Sequence, residues 1–196
     1  MKRYIKSAVK PFSEENLDTK RSIVRNTGRT EELAKLSDTD DYFIQLELAQ
    51  NPNTPVDILD KFTNFRYSPH VRAAVASNPN TTRDILYKLM RPGDPMVYRA
   101  IAENPITPLD LLDEIAHKRS IGYSDFSQAQ AAVARRSDVT RGILAYLSTV
   151  DNPYVRSWVA RNPNTPDDVL QRLSNDEFWD VRDSVTKNPR FPDLKL

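Results

Sequence analysis

The sequence predicts an all-α solenoid of about six two-helix units. Three observations carry this. A proline-bearing pentapeptide returns at nearly even spacing, apolar columns flank each copy at helical spacing, and the prolines fall at a few fixed places. The chain of 196 residues holds 14 Pro but only 4 Gly, with 39% hydrophobic residues. Rigid turns at set places, without glycine, point to repeats rather than to a disordered Pro-rich chain.

Take the Asn that opens the pentapeptide as position 0. Copies begin at Asn51 (NPNTP), Asn78 (NPNTT), Asn104 (NPITP), Asn162 (NPNTP) and Asn188 (NPRFP). A shorter one, NTGRT, begins at Asn26, and RSDVT at Arg136 fits the flanks of a missing copy. Successive spacings are 25, 27, 26, 32, 26 and 26 residues. Position −7 is Ile44, Val71, Val97, Ala129, Val155 and Val181, and position −3 is Ile23, Leu48, Val75, Ile101, Val133, Val159 and Val185. These positions are one helical turn apart and share a face. Ala fills −2 from Ala49 to Ala160. Leu holds +8 (Leu59, Leu86, Leu112, Leu144, Leu170), and +11 is apolar throughout, from Phe62 to Leu173. No period-2 alternation is present, and Ala-rich columns form strands poorly.

The prolines set the boundaries. Pro69, Pro95 and Pro153 stand at −9, each after a capping residue: Ser68, Asp94 and Asn152. A cap followed by Pro starts a helix, because the first turn needs no N–H from Pro. The first helix of each unit is therefore expected from −9 to −1. Pro at +1 disfavours helical geometry in the Asn before it. Thr at +3 reads as a second N-cap, Pro at +4 as the first helical residue, and Asp57, Asp110 or Asp168 at +6 as the acidic member of a capping box. Two short helices per unit cannot stand alone in water, so the units must stack on their neighbours.

VRAAVASNPNTTRDIL, and VRSWVARNPNTPDDVL after it, resemble the leucine-rich repeat variant family, which is similar in shape to HEAT and armadillo arrays. The resemblance covers about residues 19 to 193. It implies a right-handed superhelix of alternating α- and 3₁₀-helices, and spacing does not say which helix of the pair is 3₁₀. It implies interaction rather than a defined activity. The founding member carries a cysteine-ligated iron–sulfur cluster ahead of its repeats. This chain has no Cys, so that cofactor does not carry over and none is expected. Residues 1–18 are expected to cap one end, 19–196 to form the solenoid, and 117–128 to be an insertion within it.

Without Cys there is no disulfide, thiolate metal site or cysteine nucleophile. Two histidines, His70 and His117, are too few for a typical His-based metal site. No Gly-rich phosphate loop and no Ser–His–Asp arrangement is present. An enzyme is not expected. The N-terminus is basic but lacks the apolar core of a secretory signal, and no apolar run approaches a membrane span, so a cytoplasmic protein without a membrane partner is expected. The net charge of +1 favours no partner class.

Candidate partner-binding residues lie in cationic columns and where the repeat departs from its rule. Position −6 carries Lys20, Arg72, Arg156 and Arg182, with Gln45, Tyr98 and Gln130 elsewhere, and Arg99 lies one position later than Tyr98. Position −1 carries Arg25, Arg135, Arg161 and Lys187. Stacking aligns these as basic ladders for phosphates or an acidic protein. The same residues also suit plain ends: cations at −1 satisfy a helix C-terminus, and arginines at −6 can pair with acids such as Asp180 or Asp183. Trp158 is a large ring in a column (−4) otherwise filled by smaller side chains, where it either fills a gap or projects toward a partner. The insertion brings Tyr123 and Phe126 to a loop. Phe178 and Trp179 are expected to cover the last helix pair. The expected function is a protein-binding scaffold, with nucleic-acid binding through the basic ladders as the alternative.

Overall fold

A computed structural model describes residues 17–91, 94–119 and 125–190. The N-terminal cap expected over 1–18 lies almost wholly outside them. Among the described residues there are thirteen helices and no strand. The first helices of the units are α1 (Leu17–Asn26), α3 (Tyr42–Gln50), α5 (Pro69–Ser77), α7 (Pro95–Glu103), α9 (Ser127–Arg135), α11 (Pro153–Arg161) and α13 (Trp179–Thr186). The second helices are α2 (Thr30–Leu36), α4 (Val56–Lys61), α6 (Arg83–Leu89), α8 (Leu109–Ala116), α10 (Arg141–Leu147) and α12 (Asp167–Leu173). From α3 to α11 every first helix runs from −9 to −1, as the caps and prolines require. Ser68, Asp94 and Asn152 accept hydrogen bonds from the N–H groups of Val71, Met96 and Tyr154.

The first helices form one continuous row in which each packs on the next, from α1 on α3 to α11 on α13. The second helices α6, α8, α10 and α12 each pack against the first helix before and after them. The columns at −7, −3, −2, +8 and +11 line the core between these layers. A further buried column stands at +7: Ile58, Ile85, Leu111, Ile143 and Val169. Both helices of each unit are α-helices, so the α/3₁₀ alternation that the resemblance implies is not present among the described residues.

The joint differs from its expected chemistry. The second helix starts at +5, with Pro55, Pro108 or Pro166 at the N-cap position and no side-chain cap bond. Where +4 is Thr, as in Thr82 and Thr140, that hydroxyl is the cap, accepting from the N–H of Ile85 or Ile143. Thr at +3 faces backward instead. Thr54, Thr107 and Thr165 donate their hydroxyls to the −3 carbonyls of Leu48, Ile101 and Val159, and Thr81 does the same to Val75. Thr at +3 thus closes the C-terminus of the first helix, whose last carbonyls lack helical partners.

The Asn at position 0 joins neighbouring units. Asn78 Nδ2 donates to the carbonyls of Ala49 and Asn51 at 2.7 and 2.9 Å, positions −2 and 0 of the unit before. Asn162 repeats this on Ala134 and Arg136, and Asn188 on Ala160 and Asn162. Each Oδ1 accepts from the N–H at +2 of its own joint, as Asn51 does from Asn53 and Asn162 from Asn164. These amides are buried. The result is an asparagine ladder running along the stack, each rung satisfying otherwise orphaned backbone groups.

Candidate functional site

The two cationic columns have different fates. The −6 column is a row of staples for the loop that precedes each first helix. Gln45 Nε2 donates to the carbonyl of Thr39, the Tyr98 hydroxyl to Met90, and Gln130 Nε2 to Ala116 and Lys118. Arg156 Nη1 donates to Val150 and Asp151, and Arg182 Nη1 to Asp176 and Glu177. Arg156 is only 8% exposed and also grips Asp176, Nε to Oδ2 at 2.7 Å and Nη2 to Oδ1 at 3.0 Å. The bidentate bond to Asp176 holds the guanidinium charged, its pKa raised. Burial works against the charged Asp176, but hydrogen bonds from Arg156 and the Phe178 N–H outweigh it and keep that carboxyl below its ordinary range. Arg72 is 4% exposed, and its Nε and Nη1 have no hydrogen-bond partner among the described residues. The −6 ladder is therefore not a continuous basic surface: Arg72 and Arg156 are withdrawn into the fold, and Arg182 is exposed. Asp176, rather than Asp180 or Asp183, is the acid that Arg156 meets.

Of the insertion's two aromatics, Phe126 lies among the described residues. Tyr123 lies outside the described residues. Phe126 is 7% exposed and packs beside Tyr98, ring centroids 5.6 Å apart. It is a core residue at the foot of α9 rather than a loop-tip contact. Phe178 and Trp179 do not cover the last pair: Phe178 lies under the Arg156 guanidinium and Trp179 is 65% exposed.

What remains at the surface converges on the face of the first helices, at −8, −5, −4 and −1. Trp158 is half-buried there, against the core. The guanidinium carbons of Arg135 and Arg161 lie 5.2 and 5.3 Å from its ring centroid, and Tyr154 meets it edge-on. Arg161 comes from the next turn of the same helix, and Arg135 from the end of α9. Arg135 donates to Glu103, which also accepts from Arg99, at 3.0 and 2.9 Å. Arg161 donates Nε to Ser184 Oγ and has no carboxylate within ion-pair distance among the described residues. Four of the sequence candidates, Trp158, Arg99, Arg135 and Arg161, thus form one cluster.

The same face holds a groove. Leu46, Gln50, His70, Ala73, Ala74, Ser77 and Met96 enclose about 350 Å³ between α3, α5 and α7. A second hollow shares Ser77 and Asn78 with it and runs past Ala100 to Glu103 and Ile106. Beyond the other end lie Arg21, Arg25, Glu47 and Phe43, where Arg25 pairs with Glu47 and the Arg21 guanidinium sits 4.7 Å over the Phe43 ring. The groove and this second cluster were not among the candidates. Their signal is the −8 column, where Phe43, Met96 and Tyr154 are large and exposed although next to the buried −7 residues Ile44, Val97 and Val155.

The two layers of paired helices, tied by the asparagine ladder, define an α-helical repeat protein. The family model of the leucine rich repeat variant matches residues 153–178, which span α11, α12 and the NPNTP joint between them. That segment is a leucine rich repeat variant unit, and its pattern recurs at the same positions in the units before it. No curated protein and no solved structure matches the chain. No helix among the described residues is long and apolar enough to cross a membrane, and no three acidic or His side chains gather there as a metal site would need.

Proposed function

We propose that this protein is a non-enzymatic cytoplasmic scaffold that binds another protein along the exposed face of its first helices. One observation carries this: two adjoining apolar hollows lie on that face, and the second ends at Glu103, which pairs with Arg135, one of two arginines beside the half-buried Trp158. Aromatic and arginine side chains over an apolar floor are the make-up of interface anchors. The outer face of the second helices lacks such continuity, since exposed Val56 and Leu109 alternate at the same position with Arg83, Arg141 and Asp167. Nucleic-acid binding loses its strongest support with Arg72 and Arg156 buried, since Arg182 is then the one exposed arginine of the −6 column among the described residues. Affinity capture from the native host, run with and without nuclease, tests the proposal. Protein partners retained after nuclease support it. Partners that vanish with nuclease contradict it.

A further inference from the structure

We propose that the partner presents an acidic segment with an apolar centre, laid along the first helices so that a carboxylate enters between Arg135 and Arg161 over the Trp158 ring. This rests on the scaffold function above and names the chemistry of its partner.

Charge and shape on that face argue for it. Two guanidiniums flank one ring, each a little over 5 Å from its centre. Arg135 already shares Glu103 with Arg99, so two arginines face one carboxylate. Arg161 has only a neutral hydroxyl on its Nε. An added carboxylate supplies the charged partner that Arg161 lacks, beside the Trp158 ring. At the far end of the groove Arg21 and Arg25 again outnumber their one acid, Glu47. Between these clusters the floor is largely apolar, with Ala73, Ala74 and Ala100 small and Leu46 and Met96 larger, beside Gln50, His70 and Ser77. Small side chains let a partner backbone approach closely. The face is thus positive at both ends and apolar between, and its complement is negative at both ends with an apolar middle.

A phosphate backbone would match the ends alone. It would leave the apolar floor uncovered, and the chain's net charge of +1 supplies no long-range attraction for it.

The test uses the whole chain and three fluorescent probes: a synthetic peptide with Glu at both ends and Leu and Ala between, the same peptide with Lys for Glu, and a single-stranded RNA oligonucleotide. Binding is read by anisotropy. The expected result is saturable binding of the Glu peptide alone. Trp158→Ala should weaken it about tenfold, as loss of an interface anchor does. Arg161→Gln should weaken it about fivefold, the scale of one charge-assisted contact. Arg161 is exposed, so Arg161→Gln, whose one lost polar contact is to Ser184 Oγ, reads the site even where Trp158→Ala perturbs folding. The proposal is overturned if the Lys peptide or the RNA binds as tightly, if no probe binds, or if Arg161→Gln leaves Glu-peptide affinity unchanged. Should the peptides fail while nuclease-resistant protein capture persists, the scaffold function stands and this partner chemistry falls.

Discussion

Arg136 Nη1 donates to the backbone carbonyl of Asn104 at 2.6 Å and to that of Ala102 at 3.0 Å. These are the 0 and −2 carbonyls that an asparagine at its position would take. The joint without an Asn is therefore not a gap in the ladder. An arginine, half-buried and paired with Asp138 on its outer side, completes the rung. Arg136→Asn should then change stability by no more than about 1 kcal/mol, because one donor replaces another, while Arg136→Ala should cost about 1–2 kcal/mol, by taking the side-chain donor from the Ala102 carbonyl and leaving that of Asn104 with the Thr107 N–H alone. Chemical denaturation of the two variants compares them.

The same logic makes the buried rungs sensitive to a one-atom change. Asn162→Ala should cost about 2–3 kcal/mol, since two carbonyls and the Asn164 N–H lose their partner. Asn162→Asp should cost more than the alanine, because a carboxylate cannot donate and would face two carbonyl oxygens. Thermal unfolding at neutral pH gives the order. An aspartate variant as stable as wild type would refute the ladder.

The two threonines of a joint should separate by chemistry. Thr165→Val keeps shape but removes the hydroxyl bond to Val159, whose carbonyl then keeps only the Asn162 N–H, at about 1 kcal/mol. Thr82→Ala removes the N-cap of α6, at about 1 kcal/mol. Circular dichroism melts of both variants, with Thr165→Ser as a control that restores the hydroxyl, check the assignment.

Buried arginines of one column should behave unequally. Arg156→Met breaks the bidentate pair with Asp176 and should cost about 3 kcal/mol, since it leaves a buried carboxylate unpaired. Arg72→Met should cost less than about 1 kcal/mol, or stabilise, because it removes two buried nitrogens that have no partner. Equal losses in urea titrations of the two variants would contradict this.

The Arg156–Asp176 pair also sets a pH dependence. The Asp176 carboxyl is depressed in the folded chain below its ordinary value of 3.8. A depressed acid stabilises fully above its unfolded pKa, and that contribution is lost as pH falls through the folded value. Stability from this pair should therefore hold at neutral pH and fall below about pH 4. Asp176→Asn should be less stable at pH 7 and lose less on acidification. Denaturation midpoints from pH 6 down to pH 2 measure it.

The first-helix boundaries were legible because their signals are local: a cap, a proline and two apolar columns all lie within one turn or two. The ladder was not, because Asn78 and its acceptors Ala49 and Asn51 are far apart in the chain and an amide does not announce its direction. Thr at +3 followed by Asp at +6 resembled a capping box, yet the helix starts one residue later whether +4 is Pro or Thr82, and the +3 hydroxyl turns back to the −3 carbonyl. The −6 column looked like a basic ladder because three of its members are Arg. Its Gln45, Tyr98 and Gln130 were the better guide, since all are long donors whatever their charge, and loop carbonyls are what they share. Trp158 was visible as a misfit in a small-residue column. The groove beside it was not, because Leu46, Ala73 and Met96 come together only when three units stack.

The central claim is that a protein partner sits on the face of the first helices. Photo-cross-linking in the native host tests it most directly, with a photoreactive residue placed at Met96 or Ser157 on that face, and at Asp57 or Gln171 on the exposed second helices. The account predicts a cross-linked protein band from Met96 and Ser157 that is absent from Asp57 and Gln171. Cross-links from Asp57 and Gln171 alone would contradict it.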